Sequence, residues 1–184
     1  MESVCDRTIE EVHDIIGRYV YGRYHGKDRA VVRLKGMMLD GDPGPFPLYS
    51  DEGNRIGFRY AEPDILMLRD GQVRTVIQID SILLAPQEYV GKAIMPIIAE
   101  KMVRGDDQLP IAVDVSVVQV VCYHGEHGDG GHELEMRLRR LSEDISMLFR
   151  NTGRGCRYSL VIPVKRSDDS IEEVLGRYLD DKIW

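Results

Sequence analysis

The stretch from residue 62 to residue 81, EPDILMLRDGQVRTVIQIDS, constrains the fold of this chain more than any other. Its two apolar segments, Ile65 to Leu68 and Val73 to Ile79, are rich in the branched side chains that favour β-strands. Between them stands Asp70-Gly71, a dipeptide typical of the tight turn of a β-hairpin. The stretch therefore predicts two antiparallel strands, and we expect the rest of the chain to support that hairpin.

The length of the turn decides which side chains share a face, because directly paired residues lie on the same face of a sheet. One alternative is a two-residue loop, in which Arg69 pairs with Gln72. That register places Asp64 on the face away from Gln78 and Asp80, and the polar side chains are then scattered over both faces.

The other alternative is a three-residue loop, in which Leu68 pairs with Gln72 and Asp64 pairs with Val76. We favour this register because it separates the polar side chains of the hairpin from the apolar ones. The polar face then carries Asp64, Gln78 and Asp80. The opposite face carries Thr75, Ile77 and Ile79, a row suited to packing under a helix.

Apolar patterns on both sides of the hairpin predict further helices and strands. The predicted helices cover residues 8–21, 85–102, 133–149 and 168–179, and Thr8 with Glu11 forms a capping-box pattern at the start of the first. The further strands are predicted at 30–34, 56–60, 113–123 and 157–164. The segment 113–123 is a Val-rich run typical of a buried strand that runs parallel to its neighbour after a helical crossover.

Pro63-Asp64, then a hairpin, then Gln78-Ile79-Asp80 resemble the PD-(D/E)xK nuclease-like superfamily. The resemblance covers residues 8–123. It implies an α/β fold with a restriction-endonuclease-like core, in which helices flank a mixed β-sheet in the order α-β-β-β-α-β. A C-terminal helix-strand-helix extension follows that core here. Because no Pro/Gly/Ser-rich linker divides the chain, residues 1–184 are predicted to form a single domain.

The resemblance also implies a Mg²⁺- or Mn²⁺-dependent nuclease that hydrolyses phosphodiester bonds in DNA. In the superfamily, the first Asp and an acid on the second strand hold the metal, and a Lys two residues later positions or activates the attacking water. Asp64 stands at the first position, Gln78 at the second acid and Asp80 at the lysine. The expected metal ligands are therefore Asp64, Gln78 and Asp80, with Asp80 as the second carboxylate.

Because Asp80 stands at the lysine position, another residue has to supply the positive charge. The two candidates are Lys92 and Arg74. Members of the superfamily can take this lysine from the following helix, so Lys92 joins Asp64, Gln78 and Asp80 as an expected catalytic residue; the alternative for Lys92 is an ordinary exposed lysine. An acid on the first helix often reaches the metal in the superfamily. The residues of this helix that could do so are Glu10, Glu11 and Asp14.

The net charge of −7 gives no general basic surface for nucleic acid. A local cluster of arginines offers either a basic patch or a solvated helix face; it contains Arg137, Arg139, Arg140, Arg150, Arg154 and Arg157.

Two functions stay open: a nuclease with an altered active site, or a catalytically inactive member of the same fold that acts as a binding or assembly module. The partners we expect are DNA, in preference to RNA, and a second copy of the chain in a homodimer.

A glycine-rich segment after residue 123 carries side chains that bind metals. It contains His124, His127 and His132 with Glu126 and Asp129. The segment could hold zinc, but zinc ligands favour short spacings on rigid elements, so a solvated loop is the alternative that we favour.

The cysteines and the absence of long apolar runs indicate where the protein resides. Cys5, Cys122 and Cys156 are an odd number of widely spaced residues, which predicts buried free thiols instead of disulfides. No apolar run approaches the roughly 18 to 20 residues of a membrane span. We therefore expect a soluble cytoplasmic protein.

Overall fold

The computed structural model describes residues 8–37, 39, 44–52, 55–81, 84–122, 130–162, 173, 176, 179 and 180. The long helices are α1 (Ile9–Tyr24), α2 (Pro86–Ile98) and α3 (Gly130–Asn151). The strands are β1 (Val31–Leu34), β2 (Leu48–Glu52), β3 (Arg55–Ala61), β4 (Ile65–Arg69), β5 (Gln72–Ser81), β6 (Lys101–Arg104), β7 (Asp107–Cys122) and β8 (Arg157–Val161). No helix of the described residues is long and apolar enough to cross a membrane.

The fold is α/β, with the strands in one open, mixed, eight-stranded sheet. The strand order is β1-β4-β5-β7-β6-β2-β3, and β8 lies beside β7. The pairs β5·β7 and β7·β8 are parallel, and the other pairs are antiparallel. The predicted parallel pairing of the Val-rich strand with the hairpin is therefore confirmed. The predicted segment 56–60 is a strand and precedes the hairpin in the chain as β3, but it lies at the far edge of the sheet, and β1 lies beside the hairpin.

The hairpin β4–β5 forms as predicted, but its turn does not. Asp70 and Gly71 form a two-residue turn with φ angles of 51° and 74°, and Arg69 pairs with Gln72. The predicted three-residue loop is wrong because a turn with both central φ angles positive fits the right-handed twist of the flanking strands. The extra residue lies instead in a β-bulge, where Val73 and Arg74 together oppose Leu68.

Beyond the bulge, each side chain of β5 lies on the same face of the sheet as it would with the predicted three-residue loop. Ile77 and Ile79 belong to the apolar cluster under α1. Val76 belongs to the cluster on the other face, on which Asp80 meets α2. The alternation predicted for β5 is therefore confirmed, although the turn that produces it is not.

Helix α1 begins with the predicted capping box. The Thr8 hydroxyl accepts a hydrogen bond from the backbone N–H of Glu11 at 3.2 Å, and the Glu11 carboxylate accepts one from the N–H of Thr8 at 2.8 Å. Val12, Ile16 and Val20 of the helix are fully buried against one face of the sheet. Burial of each contributes roughly 1.5–3 kcal/mol, so packing holds α1 more strongly than its cap does.

Helices α2 and α3 cover the other face. Ala93 and Ile97 of α2 and Ile145 and Phe149 of α3 pack with Val117 of β7 in one cluster. Helix α2 ends at Ile98, so the prediction that it extends to residue 102 is wrong. After the helix, the N–H of Glu100 donates to the carbonyl of Tyr49 at 2.9 Å, and residues 101–104 pair with β2 and β7 as β6.

The segment that contains residues 179 and 180 docks on α1. Leu179 is fully buried in the α1 cluster. The Asp180 carboxylate accepts hydrogen bonds from the Tyr19 hydroxyl at 2.9 Å, from the Arg23 guanidinium at 3.1 Å and from the Tyr24 hydroxyl. Burial opposes ionisation, but these donors together hold the pKa of Asp180 below its ordinary value. Residues 173, 176, 179 and 180 are helical, whereas most of the predicted helix 168–179 lies outside the described residues.

The prediction of buried free thiols is confirmed for Cys122 and Cys156. Burial, with the nearby Asp80 carboxylate, raises the pKa of the Cys122 thiol to about 12. Cys5 lies outside the described residues.

Candidate functional site

The predicted site residues lie where β4 begins and β5 ends. Asp64 lies in the bend directly before β4, and Gln78 and Asp80 lie in the second half of β5. Asp64 and Gln78 line two different pockets, one on each face of the sheet, and Asp80 is buried on the same face as Gln78.

Asp64 lies in a pocket of about 480 Å³ beside α1, which we call the Asp64 pocket. Its carboxylate accepts a hydrogen bond from the backbone N–H of Ile79 at 2.8 Å. Its own backbone is bonded on both sides, to Lys35 at 2.8 Å and to Ile77 at 3.2 Å. The other residues that line the pocket are Ile9, Glu10, His13, Asp14, Lys35, Gly36, Met37 and Ile79.

Burial raises the pKa of Asp64 above its ordinary value. The hydrogen bond from Ile79 and the charges of His13, Lys35 and Lys92 oppose that rise without cancelling it. Asp64 is therefore a carboxylate with an incomplete set of partners.

The acids of α1 divide between the pocket and the helix cap. Glu10 and Asp14 line the Asp64 pocket, and Asp14 also accepts a hydrogen bond from Arg18 at 2.8 Å. Glu11 is held by the capping box at Thr8. Of the three acids predicted to reach the site, two therefore lie at the pocket and one is occupied elsewhere.

Asp80 lies on the opposite face in a buried chain of hydrogen bonds, which we call the Asp80 chain. The Asp80 side chain is 1% exposed, and its Oδ1 accepts a short hydrogen bond from the Lys92 ammonium on α2. Its Oδ2 accepts from the Gln119 amide of β7 at 2.7 Å. The Gln119 carbonyl in turn accepts from the Tyr158 hydroxyl of β8 at 2.8 Å. Both carboxylate oxygens of Asp80 are thus engaged within the protein.

The Asp80 chain has one partly exposed end, at Lys92, and extends from there into the buried interior of the protein. The Lys92 side chain is 41% exposed, whereas Gln119 is fully buried. Burial, followed by the negative charge of Asp80, raises the pKa of the Tyr158 hydroxyl, which therefore stays protonated as a donor.

Gln78 is buried and lines a second pocket of about 370 Å³ beside α2. The other residues that line it are Tyr60, Ala61, Glu62, Glu88, Gly91, Lys92 and Met95. The Glu62 carboxylate is bonded to the Lys35 ammonium at 2.6 Å and forms an ion pair with Arg59. Because Lys35 lines the Asp64 pocket and Glu62 lines this one, the two pockets are neighbours.

Of the two candidate cations, only Lys92 lies beside Asp80. Arg74 lies in the bulge, towards the turn of the hairpin, where its guanidinium forms an ion pair with Asp114 at 2.6 Å. Arg74 is therefore not available to the predicted site.

The predicted ligand set does not fit a divalent metal ion. Such an ion needs carboxylate oxygens that converge on one point, but Asp64 lies on the α1 side while both oxygens of Asp80 are held by Lys92 and Gln119. Among the described residues, no three or more His, Cys, Asp and Glu side chains are grouped closely enough to hold a metal. The segment for which zinc was the less favoured alternative contains His124, His127 and His132 with Glu126 and Asp129, and it lies outside the described residues apart from the backbone of His132.

Sequence reasoning missed the partners that hold Asp80. Gln119 stands alone as an amide within the apolar run VVQVVC of β7. A polar side chain in a buried strand has to be hydrogen-bonded, so this residue was the signal for a buried polar partner. His13 and Lys35 carried no such signal, because polar residues on a helix and in a turn are ordinary.

No family model, no curated protein and no solved structure matches this chain.

Proposed function

We propose that the protein is a catalytically inactive member of the restriction-endonuclease-like fold that acts as a binding or assembly module. One observation carries the proposal: both oxygens of Asp80, the carboxylate nearest to Lys92, are held inside the protein. A nuclease of this type needs that carboxylate free to meet a metal ion.

The order of the elements supports the restriction-endonuclease-like assignment. Helix α1 precedes β1, and the strands β1, β4, β5 and β7 lie side by side in that order, with α2 between β5 and β7. When β2, β3 and β6 are left out, this order is compatible with the α-β-β-β-α-β order that the PD-(D/E)xK resemblance implies. The strands β2, β3 and β6 then form an antiparallel addition at one edge.

Energetics support the inactive assignment. To bind a metal, Asp80 would have to release the Lys92 ammonium and the Gln119 amide, and the amide has no access to water. Leaving one buried polar group unpaired costs about 1–3 kcal/mol. Because the Lys92 ammonium is partly exposed, its separation from Asp80 costs no more than the low end of the roughly 3–5 kcal/mol of a fully buried pair. Binding of Mg²⁺ at this point would first have to offset those costs.

A metal-dependent nuclease that acts on DNA is the second candidate. The observation that favours it is that Glu10 and Asp14 of α1 line the same pocket as Asp64, with Lys35 beside them. A nuclease of this kind would depend on the Asp64 pocket and not on Asp80.

Calorimetric titration of the metal-free protein with Mg²⁺ and Mn²⁺, together with cleavage assays on DNA and RNA, distinguishes the two candidates. We expect no saturable heat at millimolar metal and no cleavage. Asp64→Ala and Asp80→Ala are the test variants, and Asp144→Ala, an exposed acid on α3, is the matched control. Metal binding or cleavage that is lost in Asp64→Ala and kept in Asp144→Ala would overturn the inactive assignment and support the nuclease.

An assembly module requires a partner, and we propose a second copy of this chain. Helix α3 exposes three apolar side chains that a partner copy can cover: Met136, Met147 and Leu148. Light scattering should then give about twice the monomer mass of 21.0 kDa, and Leu148→Lys should lower that value. A monomer at every concentration would contradict the homodimer, and anisotropy with labelled duplex DNA tests the other partner class.

A further inference from the structure

A third pocket of about 370 Å³ lies at the turn end of the hairpin, away from the pockets described above. We call it the arginine pocket; it is lined by Arg69, Asp70, Arg74, Thr75, Asp114, Ser116, Gly155 and Arg157. Its volume is at the low end of the range for small-molecule sites, roughly 300–1,000 Å³. Three guanidinium groups and two carboxylates give it one net positive charge, in a protein whose net charge is −7.

Strand register builds the floor of the pocket. Ser116 of β7 is in register with Thr75 of β5 on one side and with Arg157 of β8 on the other. Residues in register share a face, so two hydroxyls and a guanidinium form one transverse row across three strands. The next row on that face, at Ile77 and Val118, is buried apolar core. On this face of the sheet, the side chains therefore change from apolar to polar over two residues along each strand.

The ion pairs at the pocket do not use all the N–H donors of its arginines, so donors remain for a ligand. The Arg74 guanidinium binds Asp114 through Nη1 at 2.6 Å, and a guanidinium has further N–H donors. Asp70 faces the Arg29 guanidinium at 4.0 Å. Arg157 is exposed and has no hydrogen-bond or ion-pair partner among the residues that the structure describes. Each carboxylate is thus near a cation, and Arg157 provides the excess positive charge.

We infer that the arginine pocket binds the phosphate group of a small phosphomonoester. Guanidinium groups in a fork geometry match phosphate oxygens, and the Ser116 hydroxyl adds a further donor. The pocket volume admits a phosphate with a small organic remainder. This site is independent of the Asp64 pocket and of the proposed function, because it lies at the opposite end of the hairpin.

The test is calorimetric titration of the full chain at fixed ionic strength with three probes: sodium phosphate, adenosine 5′-monophosphate and a short single-stranded DNA. We expect saturable binding of the first two, with dissociation constants on the order of 1 mM. Arg157→Ala should weaken binding about tenfold, through loss of charge-assisted hydrogen bonds. Arg140→Ala, an exposed arginine on α3 without a partner among the described residues, should leave it unchanged.

Asp114→Asn separates a ligand site from a purely structural ion pair. It removes the carboxylate that competes for Arg74, so it should tighten phosphate binding several-fold. A pocket that serves only to hold Arg74 would lose stability in this variant without any gain in binding. The inference is overturned if phosphate gives no saturable heat, if Arg140→Ala weakens binding as much as Arg157→Ala does, or if only the DNA binds.

Discussion

The two aspartates at the open end of the hairpin lie close together and have opposite environments. Asp64 faces a pocket and is held by one backbone N–H, that of Ile79. Asp80, the next residue after Ile79, is sealed on the other face with an ammonium on one oxygen and an amide on the other. The difference indicates that a buried carboxylate with a complete set of partners is a structural element, whereas one with an incomplete set remains available to a ligand.

The largest effect should come from Lys92→Ala, which breaks the Asp80 chain at its cationic end. The carboxylate then stays buried without a counter-charge, and we expect a loss of about 3 kcal/mol in the free energy of unfolding. That figure is at the low end for buried pairs, because the Lys92 ammonium is partly exposed. Urea denaturation measures it, and Lys27→Ala is the control. A loss no larger than that of the control would mean that Asp80 does not need this partner.

Gln119→Leu should have the next largest effect, about 2 kcal/mol. The substitution keeps the apolar volume of β7 but leaves one Asp80 oxygen and the Tyr158 hydroxyl without partners. The same denaturation experiment measures it. A neutral or stabilising result would contradict the hydrogen bonds from Gln119 to Asp80 and from Tyr158 to Gln119.

Tyr158→Phe should cost about 1 kcal/mol, because only the Gln119 carbonyl loses its donor. The double variant with Gln119→Leu should cost less than the sum of the two single changes, since the two residues share one hydrogen bond. Strict additivity in this double-mutant cycle would show that the hydroxyl is not bonded to Gln119.

Asp64→Asn should have the smallest effect and the opposite sign, a gain on the order of 0.5 kcal/mol at neutral pH. Burial raises the pKa of Asp64, so the folded state is penalised once the carboxyl ionises. The penalty is absent below the ordinary pKa of 3.8 and develops as the pH rises from there through the raised value. Denaturation at several pH values should therefore show the gain at pH 7 and its disappearance in acid. A gain that does not change with pH would rule out ionisation as its cause.

Local chemistry was enough to predict part of this arrangement. Alternation along β5 placed Ile77 and Ile79 under a helix and Asp80 on the other face, and the Thr8 capping box fixed the start of α1. These features depend on neighbours in sequence, which a single chain displays directly.

The parts that sequence did not predict depend on distant neighbours. Asp64 lies in a bend before β4, so strand alternation does not determine its face. Gln119 reaches Asp80 across 39 residues, and Tyr158 reaches Gln119 across another 39. The strands β2 and β6 have five and four residues, and such short segments become strands through the partners that the fold brings to them.

The docking of Asp180 on Tyr24, 156 residues earlier in the chain, has a consequence for synthesis. A ribosome adds about 5–20 residues per second, so α1 emerges at least several seconds before Leu179 and Asp180 can cover it. During that interval Tyr19, Arg23 and Tyr24 lack their carboxylate, and the site for Leu179 in the α1 cluster is exposed. The nascent chain therefore presents on α1 a surface that the finished protein hides, and a ribosome-associated chaperone would meet that surface first.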